Sequence, residues 1–249
     1  MVIPIIAANW KMHKTIGEAV GFSQHLLAEC ADCDDRIVII APPYTALPAV
    51  AETLKGSTFH LAGQNLSDQE SGAFTGEVSA TMLVDAGCEY VIIGHSERRH
   101  LFGEKNGQIN QKIRMALTSG LKPIFCIGET EEERDSELAF SVIEQQLKEG
   151  LINISRNDIR SIVIAYEPVW AIGTGKTATS GQAEEIHRFI RDTISQRFGA
   201  VTGRAMAIIY GGSVNQKNIA SLMAEADIDG VLVGGASLDV ESFRDIIRF

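Results

Sequence analysis

Cysteine is scarce in this sequence, and its distribution excludes two classes of protein. Four cysteines in 249 residues, at positions 30, 33, 88 and 126, are too few and too scattered for a disulfide scaffold, which favours a reducing cytoplasm. A zinc site would need a second pair of Cys or His at matching spacing, and the sequence has none. Cys30 and Cys33 follow a helix-like stretch and precede Asp34 and Asp35, whose charges disfavour a thiolate, so we interpret this pair as structural.

Basic residues and long apolar runs are also lacking. Lys and Arg number 22 against 32 Asp and Glu, which gives a net charge of −10, and no long basic stripe occurs. Nucleic acid and anionic membranes are therefore poor partners. The most apolar region, residues 37–51, is interrupted by Pro42, Pro43 and Pro48, so we expect no membrane span. The N-terminus lacks the basic start and cleavage site of a secretory signal.

The chain instead alternates short β-branched segments with longer amphipathic ones. This pattern predicts eight strands, at residues 2–9, 36–41, 58–63, 90–94, 123–128, 161–167, 205–211 and 230–234. It predicts eight intervening helices, at residues 17–29, 45–54, 80–86, 106–118, 131–149, 183–197, 216–224 and 240–247. The helix at 131–149 shows the clearest period, with Leu138, Val142, Ile143 and Leu147 on one face.

Strands that alternate with helices predict a parallel sheet with right-handed crossovers. Eight units of about 31 residues each match a closed α/β barrel of the (β/α)8 type better than an open sheet. A doubly wound sheet remains the alternative, because periodicity cannot show closure. The sequence has no linker, charge block or low-complexity segment, so we expect a single catalytic domain over residues 1–249.

The stretch at residues 162–177 carries the strongest functional signal. A buried strand ends in Glu167, which is followed by Pro168. Because proline restricts the preceding residue to extended dihedrals and has no N–H, Glu167 is expected at the mouth of the strand with its side chain held in one direction. A structural strand end followed by a turn is the alternative.

The residues after Pro168 have the composition of a lid. Trp170 and Ile172 are too apolar for an ordinary surface loop, whereas Gly173 and Gly175 supply bare backbone N–H groups and flexibility. We therefore predict a segment that covers a ligand and grips an anion.

Active groups of (β/α)8 barrels lie at the C-terminal ends of the strands, and five predicted strands end in such groups. The motifs are Asn9-Trp10-Lys11, Gly94-His95-Ser96-Glu97-Arg98-Arg99, Glu167, Tyr210-Gly211-Gly212-Ser213 and Val233-Gly234-Gly235-Ala236. Singly, a lysine is more often a solvated charge, a histidine a structural one and a diglycine a turn. Their coincidence at one rim favours a site.

The chemistry of these groups suits proton transfer beside a carbonyl. Glu167 and His95 would supply a base and a hydrogen-bond donor, and Lys11 a positive charge for a developing enediolate. Ser96 is expected to cap a helix whose dipole keeps the imidazole neutral. The diglycines after strands seven and eight predict a phosphate site made of loop amides. No cluster of histidines and carboxylates argues for a metal.

These motifs resemble the triosephosphate isomerase family along essentially the whole chain. The resemblance rests on residues 9–12, 94–99, 165–176, 210–213 and 232–236. It implies a TIM barrel that interconverts dihydroxyacetone phosphate and D-glyceraldehyde 3-phosphate in glycolysis and gluconeogenesis, without cofactor or metal. The family is a standard example of catalysis with a glutamate base, a neutral histidine and a closing loop, and the resemblance implies these three roles here.

Position by position, the resemblance assigns Glu167 as the base, His95 as the group that polarises the carbonyl, and Lys11 with Asn9 as the groups that steady the substrate. Glu97 would pair with Lys11. Phosphate would be bound by backbone amides of Gly173, Ser213, Gly234 and Gly235. The lid would comprise Pro168, Trp170, Ile172, Gly175 and Lys176, latched by Tyr210 near Ala178. Cys126 matches a family cysteine, to which we assign packing.

The connection at residues 65–79 contains Phe74 between glycines in a polar loop. Such a loop inserts into a partner or folds onto its own barrel, and the residues alone leave both open. The resemblance implies a cytoplasmic homodimer in which this loop docks into the second subunit and Thr75 reaches its active site.

Two other functions fit parts of the sequence less well. Residues 173–177 are similar to a nucleotide-binding P-loop, but the required first glycine falls at Trp170 and no helix opens directly, so ATP binding is not expected. A phosphate binder that has lost turnover is the second, and the intact Lys11, His95 and Glu167 argue against it.

Overall fold

The architecture is a closed barrel of parallel strands surrounded by helices, seen in a computed structural model that describes residues 2–172 and 176–249. In that part of the chain each strand pairs with the next, and the eighth pairs with the first. The strands are β1 Ile5–Asn9, β2 Ile37–Ala41, β3 His60–Gly63, β4 Tyr90–Ile93, β5 Lys122–Ile127, β6 Val163–Tyr166, β7 Ile208–Tyr210 and β8 Gly230–Val233. The predicted (β/α)8 barrel is confirmed, and the doubly wound alternative is wrong.

Helices follow the strands around the outside of the barrel. They are α1 Ile16–Glu29, α2 Leu47–Leu54, α3 Ala80–Asp85, α4 Ser96–Leu101, α5 Asn106–Thr118, α6 Glu131–Asp135, α7 Ala139–Gly150, α8 Ser180–Phe198, α9 Ala200–Ala205, α10 Ile219–Met223 and α11 Val240–Ile247. Short 3₁₀ turns occur at Tyr44–Ala46, Asp158–Ser161, Val169–Ala171 and Gly235–Leu238. No helix among the described residues is long and apolar enough to cross a bilayer.

The core has two layers because side chains alternate along each strand. Ile5 and Ala7 of β1 belong to the cluster inside the barrel, whereas Ile6 and Ala8 pack in the cluster between barrel and helices. Both faces of every strand are therefore apolar, which explains the continuous Val and Ile runs of the sequence. The alternation also determines which residues beyond the strand ends lie over the lumen.

The predicted helix at 131–149 is wrong in one respect, because the structure divides it into α6 and α7. Glu137 has a left-handed φ of 59°, and the chain reverses there. The N–H of Leu138 donates to the Glu133 carbonyl and that of Glu137 to the Arg134 carbonyl, the pattern that ends a helix in a Schellman motif. Leu138 consequently leaves the buried face and is 49% exposed. The helix α4 is not among the eight predicted from periodicity, although a helix capped by Ser96 was expected there. The helix α9 was not predicted, and its last residue, Ala205, is the first residue of the strand expected at 205–211.

Barrel closure depends on a glycine at the beginning of β8. Gly230 pairs with Ile5 of β1 and has a φ of 154°. A Cβ atom at this position would lie 2.0 Å from the Ile5 carbonyl oxygen, which belongs to rigid backbone. The two strands can therefore approach each other only when residue 230 has no side chain.

We expect Gly230→Ala to lower the free energy of unfolding by about 2 kcal/mol or more, because β1 and β8 must separate. Gly21→Ala is the matched control, since Gly21 lies on the exposed face of α1 with nothing within 4 Å of an added Cβ. It should raise stability by up to about 1 kcal/mol. Urea unfolding of both variants measures the difference, and equal stabilities would contradict the role of Gly230 in closure.

His187 of α8 is a fully buried histidine with an unusual ionisation. Its ring contacts Tyr166 edge-on, with centroids 5.8 Å apart, and its Nδ1 lies 3.2 Å from the Asp227 carbonyl oxygen. Burial lowers the pKa of His187 to about 4, with the Arg191 charge adding to this effect and the Asp227 carbonyl opposing it. Between pH 6.5 and about 4 the imidazole of His187 is therefore neutral in the folded protein but becomes protonated in the unfolded chain.

The lowered pKa of His187 predicts acid sensitivity. Above the ordinary pKa of 6.5, His187 is neutral in both the folded and the unfolded state, so its ionisation does not lower the free energy of unfolding. As the pH falls towards about 4, only the unfolded state gains the proton, which lowers the free energy of unfolding by up to about 3 kcal/mol. His187→Gln should flatten the fall in unfolding free energy over that pH range. The exposed His25→Gln should leave it unchanged. Parallel slopes for His187→Gln and the unchanged protein would refute this assignment.

Candidate active site

The strand alternation brings the sequence-predicted residues to one mouth of the barrel. Asn9 continues the inward series Ile5 and Ala7 on β1, and Glu167 continues Val163 and Ala165 on β6. A cavity of about 280 Å³ opens there. Its walls are formed by Asn9, Lys11, His95, Glu167, Ile172, Gly211, Gly212, Ser213, Val214, Leu232, Gly234, Gly235 and Ala236. This volume suits a small metabolite.

His95 begins α4 and points its imidazole at the carboxylate. It occupies the N-cap position, and its Nδ1 accepts a hydrogen bond of 3.3 Å from the Glu97 backbone N–H. The expectation that Ser96 caps this helix is therefore wrong, because the ring nitrogen of His95 takes that role. Since Nδ1 is an acceptor, the hydrogen bonds assign the proton of a neutral ring to Nε2. Nε2 lies 3.1 Å from Glu167 Oε1.

Glu167 is a buried carboxylate, 2% exposed, with both oxygens next to a donor. Oε2 accepts a hydrogen bond of 2.8 Å from the Ser96 N–H, and Oε1 faces His95. The backbone of Glu167 is fixed as well, because its N–H donates to the Ile127 carbonyl at 2.7 Å. A Cβ at Gly128 would lie 1.7 Å from the Glu167 carbonyl oxygen, so only glycine lets this strand end approach.

Lys11 brings a positive charge to the other side of the cavity. Its Nζ forms an ion pair of 2.7 Å with Glu97 Oε1, and its backbone N–H donates to Asn9 Oδ1 at 3.1 Å. Lys11 is half-buried, so water still reaches the ion pair and weakens the attraction between its charges. The predicted pairing of Lys11 with Glu97 is present in the structure.

The segment after Glu167 is anchored by a residue that the sequence did not single out. Glu129, at the end of β5, is completely buried, and its Oε1 accepts hydrogen bonds from the Tyr166 hydroxyl, Trp170 Nε1 and Arg134 at 2.9 to 3.0 Å. Its backbone carbonyl also accepts from the Val169 N–H. A glutamate that directly follows a predicted strand, as Glu167 does, was the signal available in the sequence.

The described part of the predicted lid meets the cavity at Ile172. Pro168 precedes the 3₁₀ turn Val169–Ala171, and Ile172 lines the cavity. Lys176 pairs with Glu131 of α6. Gly173 and Gly175, predicted as anion-binding and lid residues, lie outside the described residues.

The predicted phosphate end of the cavity consists of glycine loops after β7 and β8. Gly234 precedes the 3₁₀ turn Gly235–Leu238, and Ser213 follows Gly211 and Gly212. Tyr210 is fully buried beneath them, and its hydroxyl has no hydrogen-bond partner among the described residues. Burial raises the pKa of this hydroxyl, and the nearby Glu129 adds to the shift. The phenol therefore stays protonated and is available as a donor.

Cys126 lies inside the barrel below Glu167. It is completely buried, and burial together with the Glu167 charge raises the pKa of its thiol well above the usual range. An unreactive thiol at this place agrees with a packing role.

Within residues 2–172 and 176–249, no three His, Cys, Asp or Glu side chains converge as metal ligands. A larger groove of about 900 Å³ separates α7 from α8 on the outside, remote from these groups.

The loop at residues 65–79 projects from the barrel, with its base fixed and its tip exposed. Asn65 is held by Lys112 Nζ at 2.8 Å and by the Tyr44 hydroxyl at 2.6 Å. Phe74 is 47% exposed and Thr75 is exposed as well. The tip therefore does not fold onto its own barrel.

Comparisons with known proteins agree with this geometry. The sequence model of a family described as "Triosephosphate isomerase" matches residues 4–249. Proteins of that name are 50% identical over all of both chains in Chloroflexus aurantiacus, and 51% identical over 98% of each chain in Carboxydothermus hydrogenoformans. The crystal structure of triosephosphate isomerase from Bartonella henselae has a TM-score of 0.89 and 37% identity, over 98% of both chains. This chain belongs to the triosephosphate isomerase family.

Proposed function

We propose that this chain interconverts dihydroxyacetone phosphate and D-glyceraldehyde 3-phosphate, as a single catalytic domain over residues 1–249 that acts in glycolysis and gluconeogenesis. The observation that carries the proposal is the approach of His95 Nε2 to Glu167 Oε1, 3.1 Å apart, at the wall of a 280 Å³ cavity that Lys11 also lines. A base and a neutral donor that face one small substrate are the groups that move a proton beside a carbonyl.

In this proposal Glu167 removes a proton from C1 of dihydroxyacetone phosphate. The electron pair of that C–H bond forms a C1–C2 double bond, and the carbonyl oxygen on C2 becomes the oxygen of an enediolate. Glu167 then returns the proton to C2, while the hydroxyl proton passes from the C1 oxygen to the C2 oxygen. In the structure the Glu167 carboxylate is engaged by Ser96 and His95, so it must turn towards the substrate before it acts.

His95 and Lys11 would stabilise the negative charge of the enediolate. The Nε2–H of His95 is directed into the cavity because Nδ1 is occupied by the Glu97 N–H. A neutral imidazole donates a hydrogen bond to the developing oxyanion and still returns to its starting state after each turnover. The Lys11 ammonium adds a fixed charge, held by Glu97, and Asn9 would bind the substrate next to it.

The phosphate would be bound by the backbone amides of Gly173, Ser213, Gly234 and Gly235. Three of these, Ser213, Gly234 and Gly235, line the same cavity as Glu167, which supports the assignment. Backbone N–H groups of tight glycine loops bind anions without adding a further charge. The Tyr210 hydroxyl, which has no hydrogen-bond partner among residues 2–172 and 176–249, supports a latch near Ala178 when the predicted lid closes. Closure would exclude water and strengthen each electrostatic contact.

Glu167→Gln tests the base directly. The amide keeps the size of the side chain but cannot take up a proton, so kcat should fall by roughly a hundredfold to ten-thousandfold. A coupled assay with glyceraldehyde 3-phosphate measures turnover, and binding of inorganic phosphate together with thermal unfolding shows that the site and fold persist. Glu144→Gln, on the exposed face of α7, is the control and should retain full activity. Near-normal turnover of Glu167→Gln would remove it from this role.

We also propose that the chain works as a cytoplasmic homodimer through the loop at residues 65–79. Exposed apolar side chains follow four consecutive strands at the same rim of the barrel: Met12 after β1, Tyr44 after β2, Phe74 after β3, and Leu101 with Phe102 after β4. Exposed large apolar side chains after neighbouring strands are typical of a subunit interface. A second copy with the same surface satisfies two-fold symmetry, with Thr75 near the partner's active site.

Phe74→Asp should weaken the dimer at least about a hundredfold, because a carboxylate would be buried without a partner. Sedimentation velocity over a range of concentrations measures the dissociation. Val201→Asp is the control, since Val201 is 68% exposed on α9, away from the rim that carries Phe74. A fully active monomer of the unchanged protein at working concentration would contradict the dimer proposal.

A further inference from the structure

The backbone of Lys11 adopts a conformation that residues with a side chain rarely adopt. Its φ is +52°, in the left-handed region. Such a conformation persists only where the surroundings hold it, and it is frequent where a side chain must be aimed. The loop after β1 therefore needs contacts that fix both the peptide group of Lys11 and its ammonium group.

Two of those contacts come from residues already placed in the site. Asn9 Oδ1 accepts from the Lys11 N–H at 3.1 Å, and Glu97 holds Nζ at 2.7 Å. The first contact fixes the backbone N–H of Lys11, and the second fixes the end of its side chain. Neither contact fixes the carbonyl of Lys11, through which the chain leaves the strained residue.

The Lys11 carbonyl is held by Gln64. Nε2 of Gln64 donates to the Lys11 carbonyl at 2.9 Å and to the Ala41 carbonyl at 2.9 Å. Ala41 is the last residue of β2, and its carbonyl also accepts from the Trp10 N–H at 3.2 Å. Gln64 itself directly follows β3. One amide group thus ties together the C-terminal ends of three neighbouring strands.

Glutamine is well suited to this position by its chemistry. Its primary amide has two N–H hydrogens on one nitrogen, and both are used on carbonyl oxygens. Glutamate has the same shape but only acceptor oxygens when ionised, and methionine has a similar length but no donor. Gln64 does not line the cavity, so it acts on the substrate indirectly, through the position of Lys11.

We infer that Gln64 is a positioning residue that holds the left-handed Lys11 backbone and thereby aims the Lys11 ammonium into the cavity. The inference rests on the proposed function, since it takes Lys11 as the charge that stabilises the substrate and enediolate. Loss of the amide donor lets the Lys11 peptide relax towards an ordinary conformation, and the ammonium then moves away from its place beside Glu97.

The test is a double-mutant cycle with Gln64→Met and Lys11→Met. Gln64→Met alone should lower kcat/KM about tenfold, the size expected for one misplaced charged contact. In the Lys11→Met background, Gln64→Met should change kcat/KM by less than about twofold, because the group it positions is gone. Gln145→Met is the matched control: Gln145 Nε2 also donates a hydrogen bond, at 2.9 Å to Glu149, on the exposed side of α7. It should leave kcat/KM unchanged.

Two results would overturn the inference: an unchanged kcat/KM for Gln64→Met, or a loss of equal size with and without Lys11. The second result would show that Gln64 stabilises the barrel as a whole and does not act by positioning Lys11. If Gln64→Met does not fold, Gln64→Glu provides the same cycle, and it should lose more activity because its carboxylate faces two carbonyl oxygens. Failure of the proposed function is distinguishable, since the unchanged protein would then show no isomerisation at all.

Discussion

The pairing of β8 with β1 is the constraint on which the rest of the structure depends. Parallel pairing places the ends of all strands on one side, and closure turns that side into a rim around a lumen. The strict alternation of side chains then decides which residue after each strand lies over the lumen. Asn9 and Glu167 are the next inward positions after Ala7 and Ala165. Residues far apart in the chain thereby meet across one small cavity. An open sheet with the same elements would align strand ends along an edge and could not surround a substrate.

Glu97, Glu129 and Glu167 are three chemically identical carboxylates at this rim, and they differ in the groups that donate hydrogen bonds to them. Glu97 is partly exposed and neutralises Lys11, whereas Glu129 is buried and receives three hydrogen bonds on a single oxygen. Glu167 is equally buried, but its direct neighbours are one backbone N–H and the imidazole of His95. Because Glu167 has no ion pair with Lys or Arg among the described residues, it can exchange its donors for a substrate at lower cost. In the proposed mechanism this difference separates the structural carboxylate of Glu129 from Glu167, which acts as the base.

The sequence predicted the parts of this arrangement that local chemistry determines. Strand periodicity, the glycine motifs and Glu167 before Pro168 are local signals, and they led to the closed barrel and to most residues of the cavity wall. The helix prediction at 131–149 failed because apolar spacing continues through Glu137, while a left-handed turn at that residue ends α6. Ser96 was expected as the helix cap because serine is a common cap, and the competing ring nitrogen of His95 is visible only in three dimensions. Glu129 and Gln64 act through partners far away in the sequence, so local patterns do not show their contacts, and the only local signal was the position of Glu129 directly after a predicted strand.

Both long-range residues share a feature that explains why the site needs them. Glu129 fixes the base of the lid, and Gln64 holds a backbone that is strained at Lys11. Strained or polar groups at the mouth of a barrel reduce stability unless neighbouring groups satisfy them, so the apolar layers on both sides of the sheet must compensate. The two clusters of Val, Ile and Leu around the strands supply that compensation. A rigid core is therefore a condition for the proposed chemistry, because only a barrel that does not relax can keep the left-handed backbone of Lys11 and the buried carboxylate of Glu167 in place.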